Sequence, residues 1–118
     1  MKSTPSLYFE QSQTAISGIE FVLYVKFNVK TSRAGKITVY LDKEDKFFIE
    51  KSFIETRYRG KGYGKKLYEH ALHELGTLKT NYFEASASAQ RVWQSLEKKY
   101  KSRKDFFNGV LTLYNKLK

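Results

Sequence analysis

Cysteine is absent from this sequence, and histidine and proline are scarce: the 118 residues include two histidines and one proline. A chain without cysteine forms no disulfide, offers no thiolate to a metal and has no thiol nucleophile. Because His70 and His73 are its only histidines, a structural zinc site is not expected either. We therefore expect no resident metal and no cysteine chemistry.

Long apolar runs are absent as well. No stretch approaches the roughly 20 consecutive apolar residues that a membrane-spanning helix needs. Residues 1–11 lack the basic start, the apolar run and the small-residue cleavage site of a secretory signal. These features predict a cytoplasmic protein that does not enter a membrane.

The sequence does contain the material for a core and a large positive charge. Hydrophobic residues make up 41% and aromatic residues 16%, which is enough for one folded domain over residues 1–118. The net charge of +10 favours anionic partners, such as phosphates, nucleic acid or acidic proteins. The basic residues are dense only at residues 57–66 and 98–104. We interpret this as a basic surface with one anion site, and extended nucleic-acid binding is the alternative.

The first half of the chain has the pattern of an antiparallel meander. Three segments rich in β-branched and aromatic residues are predicted strands, and they are residues 19–30, 37–42 and 47–55. Turns are predicted between them at residues 31–36 and 43–46. The polar leader, residues 1–18, is predicted to hold at most one short strand, at residues 7–10.

The second half changes to helical spacing. Apolar residues recur every three to four positions over residues 63–75, and Gly76 is typical of a helix end. The further predicted elements are a strand at 82–87, an amphipathic helix at 89–100 and a strand at 110–114. A strand–helix–strand unit implies one parallel pair beside the meander. The expected fold is an α/β fold with a mixed, mostly antiparallel sheet and a helix on each face.

The segment most informative about function is residues 54–67, IETRYRGKGYGKKL. Three glycines alternate at Gly60, Gly62 and Gly64, between a predicted strand and a predicted helix. Glycine lets a ligand approach the backbone closely. The first amides of a helix lack internal partners and lie at the positive end of the helix dipole, so they suit a phosphate. This segment is therefore the predicted anion site.

Two common phosphate motifs do not fit this segment. A P-loop needs Ser or Thr after its Gly-Lys pair, whereas Lys66 follows Gly64 and Lys65 here. A dinucleotide-binding fingerprint needs G-x-G-x-x-G in a wholly parallel unit, whereas this run is G-x-G-x-G after an antiparallel meander. Both nucleotide-binding folds are excluded on the spacing.

The segment resembles the acyl-CoA motif of the GNAT superfamily of N-acetyltransferases, Arg/Gln-x-x-Gly-x-Gly/Ala. Arg59, Gly62 and Gly64 occupy the fixed positions of that motif, at the junction of strand and helix. The resemblance implies that backbone amides from Arg59 to Gly64 hold the pyrophosphate of acetyl-CoA, and that an amide near Phe53 polarises the thioester carbonyl. The implied cofactor-binding residues are Phe53, Ile54, Arg59, Gly60, Lys61, Gly62, Tyr63, Gly64 and Lys65.

Acetyl transfer to an amine also needs a base that removes a proton. By alternation along the strand, Phe48, Glu50 and Ser52 are expected to share one face with Ile54. The family often places its base on that strand, so Glu50 is the candidate and Glu84 the reserve. Trp93 falls where the family carries a tyrosine that protonates the CoA thiolate. Tryptophan has no acidic proton to give, so the substitutes considered are Tyr82, Tyr100, Ser86, Ser88 or solvent.

The resemblance also indicates what the chain lacks. About twenty residues precede the strand at 19–30, too few for the helices that the family places there as a wall of the acceptor pocket. The acceptor side is therefore expected to be open or closed by a second subunit, which suits a lysine or N-terminal amine of a protein. Two alternatives stay open: a weak or inactive CoA-binding member that regulates a partner protein, and a nucleic-acid module using Tyr58, Tyr63 and Tyr100.

Overall fold

The computed structural model describes residues 5–14, 18–43 and 46–118, which form one seven-stranded sheet and two α-helices. The strands are β1 Ser6–Gln13, β2 Gly18–Phe27, β3 Lys30–Leu41, β4 Phe47–Ile54, β5 Thr77–Asn81, β6 Tyr100–Asp105 and β7 Val110–Leu117. The helices are α1 Tyr63–Leu75 and α2 Ala87–Lys99, and short 3-10 helices occupy Thr56–Tyr58 and Tyr82–Glu84.

The sheet is mixed and mostly antiparallel, as predicted. Its strand order is β1-β2-β3-β4-β5-β7-β6, and only β4 and β5 run parallel. The predicted helix boundaries at Tyr63, Leu75 and Gly76 are confirmed, since Gly76 ends α1 with a φ of 85°. Asn108 and Gly109 lie in the hairpin turn that joins β6 to β7.

The turn predicted at residues 31–36 is wrong. The chain reverses instead at Asn28 and Val29, where Asn28 has a φ of 57°, and residues 31–36 lie inside β3. Gly35 marks a close approach of strands rather than a turn. A Cβ atom there would lie 2.6 Å from the Phe53 carbonyl oxygen.

Two other strand predictions differ from the structure. The strand predicted at 82–87 is wrong, because β5 ends at Asn81 and a 3-10 helix follows. The sequence gives little signal for β5, where the buried Lys79 side chain is accommodated by an ion pair with Asp42 at 2.7 Å. Strand β6 was not predicted, because its sequence YKSRKD is charged, as is common for an edge strand.

The short strand predicted at 7–10 is present as the longer β1, which pairs with β2 along its whole length. Residues 1–4 and 15–17 of the predicted leader, and residues 44–45 of the predicted charged turn, lie outside the described residues. No helix is seen between β1 and β2, whose described parts are separated only by residues 14–17. This arrangement agrees with the expectation that the region before β2 is too short for the helices of the family.

The two helices lie side by side on one face of the sheet, not one on each face. The rings of Tyr68 in α1 and Trp93 in α2 stack with centroids 5.2 Å apart. Both strand–helix–strand crossovers advance in the same direction across the sheet, from β4 to β5 and from β5 toward β6. Because such crossovers are right-handed, both helices are placed on the same side.

A single core fills the space between the helices and this face. Its fully buried members include Phe21, Leu23, Ile37, Leu67, Leu72, Leu78, Trp93, Leu96, Leu111 and Leu113. Each large apolar side chain buried in this way contributes about 1.5–3 kcal/mol. The opposite face carries no helix in the described ranges, and its aromatic side chains instead stack in cross-strand pairs, Tyr8 with Tyr24 and Tyr40 with Phe48.

A polar cluster fixes the two helices relative to each other. The Glu69 carboxylate of α1 accepts hydrogen bonds from Lys99 Nζ at 2.8 Å and from the Tyr100 hydroxyl at 2.5 Å. Burial alone would raise the pKa of Glu69, but these hydrogen bonds and the nearby lysine charges outweigh it and hold the pKa below its ordinary value.

None of the helices in the described ranges is long and apolar enough to cross a membrane.

Candidate functional site

The glycine-rich segment forms an open turn between β4 and α1. Gly60 and Gly62 have φ values of 78° and 80°, in the left-handed region that favours glycine. A Cβ atom at either position would meet no protein atom within 4 Å. The protein does not fill the space beside these residues, and that space faces the start of the helix.

The backbone amides of this turn are available to a ligand. The first intrahelical bond runs from the Lys66 amide to the Gly62 carbonyl oxygen at 3.2 Å, and Gly62 has no side-chain cap. The amides of residues 60–65 therefore have no partner within the part of the chain that the structure describes. The Arg59 amide, which was predicted to belong to this set, instead donates to the Thr56 carbonyl at 3.3 Å.

Arg59 ties the turn to the end of β4. Its Nε donates to the Ile54 carbonyl oxygen at 2.9 Å, and its guanidinium carbon lies 5.5 Å from the centre of the Phe53 ring. The Arg59 side chain is exposed, so its positive charge is accessible from solvent at the opening of the turn. Arg59 thus positions the loop as well as adding positive charge.

The turn opens into a groove of about 650 Å³ between α1, α2 and the end of β4. This volume lies in the range of small-molecule sites. Among the residues that the structure describes, the groove is lined by three cations, Arg59, Lys65 and Arg91, and by no carboxylate. Its second wall, from α2, supplies Ser88, Val92 and Ser95. The contribution of α2 was missed at the sequence level, because only the tertiary fold brings it opposite the glycine turn.

Strands β4 and β5 separate beyond their first contact. They pair only at Phe48 and Lys79, and the rest of the two strands encloses a cleft of about 510 Å³. Five residues line both this cleft and the groove, and they are Ser52, Phe53, Tyr68, Ser86 and Ala89. The two cavities therefore form one channel from the glycine turn to the opened strands.

The backbone of β4 faces the channel at alternate residues. Glu55 donates its amide to Ala34 of β3 at 2.7 Å, and the Phe53 carbonyl also faces β3, next to Gly35. In a strand, the amide and carbonyl of one residue point to the same edge, and those of the next residue point to the opposite edge. The main chain of Ser52 and Ile54 therefore faces the channel, and that of Phe53 faces β3. Of the amides near Phe53, that of Ser52 therefore faces the channel, whereas that of Phe53 itself does not.

The candidate bases Glu50 and Glu84 line the same cleft. Ile49 pairs with Val39 and Lys51 with Thr38, so Glu50 is an extra residue in a β-bulge. A bulge reverses which face the following side chains occupy. Consequently Phe48 stacks on Tyr40 on the helix-free face, whereas Ser52 and Ile54 both face the helices. The predicted common face is therefore wrong for Phe48 and confirmed for Ser52 and Ile54.

The residues considered as proton donors occupy different places. Trp93 is 1% exposed, so it belongs to the core and to the wall of the cleft. The Tyr100 hydroxyl is bonded to Glu69 and lies 2.9 Å from His73 Nε2, and Tyr82 accepts from Gln94 at 2.7 Å. Neither tyrosine lines the channel. Ser86 caps α2 by accepting from the Ala89 amide at 3.2 Å.

A family model described as the acetyltransferase (GNAT) family matches residues 4–100, which is most of the chain. This chain belongs to the GNAT family. Members of the family transfer an acyl group from CoA to an amine. No curated protein sequence matches the chain. No group of three His, Cys, Asp or Glu residues in the described ranges is placed to hold a metal ion.

Solved GNAT structures share the fold at low sequence identity. The IAA acetyltransferase of Bacillus cereus is 18% identical, with a TM-score of 0.61 over 92% of this chain and 97% of its own. A Bacillus subtilis acetyltransferase in complex with CoA is 13% identical, with a TM-score of 0.60 over 98% and 100%. The ribosomal-protein-S18-alanine N-acetyltransferase of Escherichia coli is 17% identical, with a TM-score of 0.57 over 89% and 74%.

Proposed function

We propose that this GNAT member transfers an acetyl group from acetyl-CoA to a primary amine, with a lysine or N-terminal amine of a protein as acceptor. The observation that carries the proposal is the run of amides at residues 60–65, which have no partner in the described part of the chain. They open into a groove that this part of the chain lines with cations and no carboxylate. Such a run suits the two linked phosphates of CoA. The Bacillus subtilis neighbour, solved with CoA, has the same fold.

The channel suits the part of acetyl-CoA that runs from the pyrophosphate to the thioester. The amides of Gly60 to Lys65 hold the pyrophosphate, with added charge from Arg59 and Lys65. Lys61 and Tyr63 take part through their backbone amides. The edge of β4 at Phe53 and Ile54 borders the path of the pantetheine arm, and the Ser52 amide faces the reacting carbonyl. When bound, acetyl-CoA supplies an activated acyl group on a sulfur that leaves readily.

Glu50 is the base that we assign to the acceptor amine. Its carboxylate lies on the bulge of β4 and lines the cleft on the far side of Ser52 from the glycine turn. This location lets it receive a proton from an amine that enters the cleft, directly or through water. Glu84 borders the same cleft from the 3-10 helix after β5 and is the reserve candidate.

A protein acceptor fits the shape and charge of the molecule. The described residues place no helix over the sheet face opposite α1 and α2, so that side of the cleft is open to a polypeptide segment. The net charge of +10 attracts acidic or nucleic-acid-associated proteins and repels cationic small amines. A second copy of the chain is an alternative way to close this side. The cytoplasmic location stays a prediction.

Two measurements test this function in order. Acetyl-CoA at 100 times its Kd should raise stability by about 2.7 kcal/mol, which a thermal-shift titration detects. A thiol-release assay with a pool of lysine and N-terminal peptides then tests transfer. Binding without thiol release would favour the regulatory alternative over the enzyme.

The nucleic-acid alternative loses one of its supports. The nucleic-acid alternative needs Tyr100 at the surface, but Tyr100 is 2% exposed and its hydroxyl donates a hydrogen bond to Glu69. Tyr58 and Tyr63 lie beside each other at the glycine turn, with centroids 5.9 Å apart, where they border the groove. Binding of single-stranded oligonucleotide in place of acetyl-CoA would overturn the proposed function.

A further inference from the structure

Tyr68 occupies the point where the two cavities meet. It lies on α1, four residues after Gly64, and it lines both the groove beside the glycine turn and the cleft between β4 and β5. Tyr58 and Tyr63 line the groove only, at its phosphate end. Among the described tyrosines, Tyr68 is therefore the one placed between the phosphate end and the cleft that holds Glu50.

The Tyr68 hydroxyl is held in position from two sides. It lies 2.6 Å from Ser52 Oγ, on the β4 residue whose backbone faces the channel. Its ring is 4% exposed and stacks on Trp93 with an interplanar angle of 28°. Burial raises the pKa of Tyr68, and the hydrogen bond with Ser52 lowers it by less. The phenol is thus fixed in place and keeps its proton at neutral pH.

We propose that Tyr68 is the general acid that protonates the departing sulfur, with Ser52 as its positioning residue. This inference rests on the proposed acetyl transfer. The amine nitrogen forms a bond to the thioester carbon, and the carbon–sulfur bond breaks with its electron pair on sulfur. The sulfur takes the phenol proton, and the Tyr68 oxygen recovers a proton from water in the open channel. The proton lost by the amine goes to Glu50 or water.

The other acidic groups considered do not reach this place. Trp93 carries no acidic proton, yet it forms the platform on which the Tyr68 ring lies. Tyr82 and Tyr100 have partners outside the channel. The acid is thus assigned to Tyr68 on α1 rather than to the position on α2 that Trp93 occupies.

The test compares Tyr68→Phe with the control variant Tyr82→Phe, which removes a tyrosine hydroxyl that lies outside the channel and accepts a hydrogen bond from Gln94. Tyr68→Phe keeps the ring that stacks on Trp93, so its melting temperature should stay close to that of the wild type. We expect kcat for thiol release to fall about 100-fold, with KM for acetyl-CoA changed less than twofold. Tyr82→Phe should leave kcat within twofold.

A binding readout tests the same contact without catalysis. Desulfo-CoA lacks the sulfur, so the wild type should bind CoA about tenfold more tightly than desulfo-CoA, as one hydrogen bond implies. Tyr68→Phe should bind both equally, Ser52→Ala should lose part of the preference, and Tyr82→Phe should keep it. Calorimetric titration measures these affinities.

The outcomes separate the two proposals. An active wild type with Tyr68→Phe that keeps both its kcat and its preference for CoA would overturn the role of Tyr68 and leave acetyl transfer standing. A wild type that binds neither CoA nor acetyl-CoA would overturn both. If Tyr68→Phe fails to fold, Ser52→Ala decides, because an unchanged kcat and an unchanged preference for CoA there contradict the inference.

Discussion

Replacing Gly62 by alanine separates the fold from the proposed binding site. Gly62 has a φ of 80°, where an alanine costs roughly 1–2 kcal/mol, and part of this is offset by the smaller entropy of the unfolded alanine chain. The net loss of stability should be about 1 kcal/mol. For a chain of 118 residues this corresponds to a fall in melting temperature of about 4 °C.

The effect on binding should be larger than the effect on folding. The added Cβ enters space that no protein atom occupies within 4 Å, beside the amides that we assign to the pyrophosphate. Losing one charge-assisted hydrogen bond costs about 1.5–3 kcal/mol, which weakens CoA binding roughly 10- to 100-fold. At a CoA concentration 100 times the wild-type Kd, the stabilisation would fall from about 2.7 kcal/mol to as little as about 0.4 kcal/mol.

Gly76→Ala is the matched control for this variant. Gly76 has a φ of 85° and an equally empty Cβ position, but it ends α1 at the side away from the groove. Both variants should lose similar stability in thermal unfolding without ligand. Only Gly62→Ala should lose the shift produced by CoA. If CoA stabilises the two variants equally, the amides near Gly62 do not hold the cofactor.

Three further predictions concern the base, the pH dependence and the strand contact. Glu50→Gln should lower turnover about 100-fold and leave acetyl-CoA affinity unchanged. The thiol-release assay compares this variant with Glu84→Gln. Equal turnover in the wild type and Glu50→Gln would remove Glu50 from the mechanism. Burial lowers the pKa of His70 below 6.5, so the unfolded chain binds this proton more readily and stability is lost as the pH falls below 6.5. The melting temperature should accordingly fall less between pH 8 and pH 5.5 in His70→Phe than in the wild type, and an identical fall would contradict this. Gly35→Ala should lose about 3 kcal/mol in denaturant unfolding, because its Cβ would press on the Phe53 carbonyl; a loss below about 0.5 kcal/mol would show that the strands move apart easily.

The parts of the fold that follow from local pattern were predictable. The glycine turn and the boundaries of α1 appear as expected, because Gly62 and Gly76 mark the helix ends by backbone conformation alone. One parallel pair is also present, but its second strand is Thr77–Asn81 rather than the predicted residues 82–87. Strand β5 was misplaced because Lys79 sits in a buried position that an apolar pattern does not reveal. Its charge is compensated by Asp42, 37 residues earlier, and such long-range pairs leave no local signal.

The candidate site was only half visible in the sequence. The amides of residues 60–65 follow from the glycine spacing, but the wall formed by Arg91 and Ser95 depends on how α2 lies beside α1. The bulge at Glu50 also escaped prediction, since simple alternation assumes an unbroken register with β3. Tyr68 lies on the buried face of α1, where a sequence pattern shows only another apolar position. Its hydroxyl becomes a candidate only once Ser52 is known to lie 2.6 Å away.

The central claim is that the backbone amides of residues 60–65 bind the pyrophosphate of CoA. Backbone amide NMR during a CoA titration tests it directly, because each glycine in this turn gives its own signal. The account predicts that the amide protons of Gly60, Gly62 and Gly64 move downfield on saturation, whereas those of Gly76 and Gly109 stay in place. Saturable CoA binding that leaves the three turn glycines unshifted would contradict it.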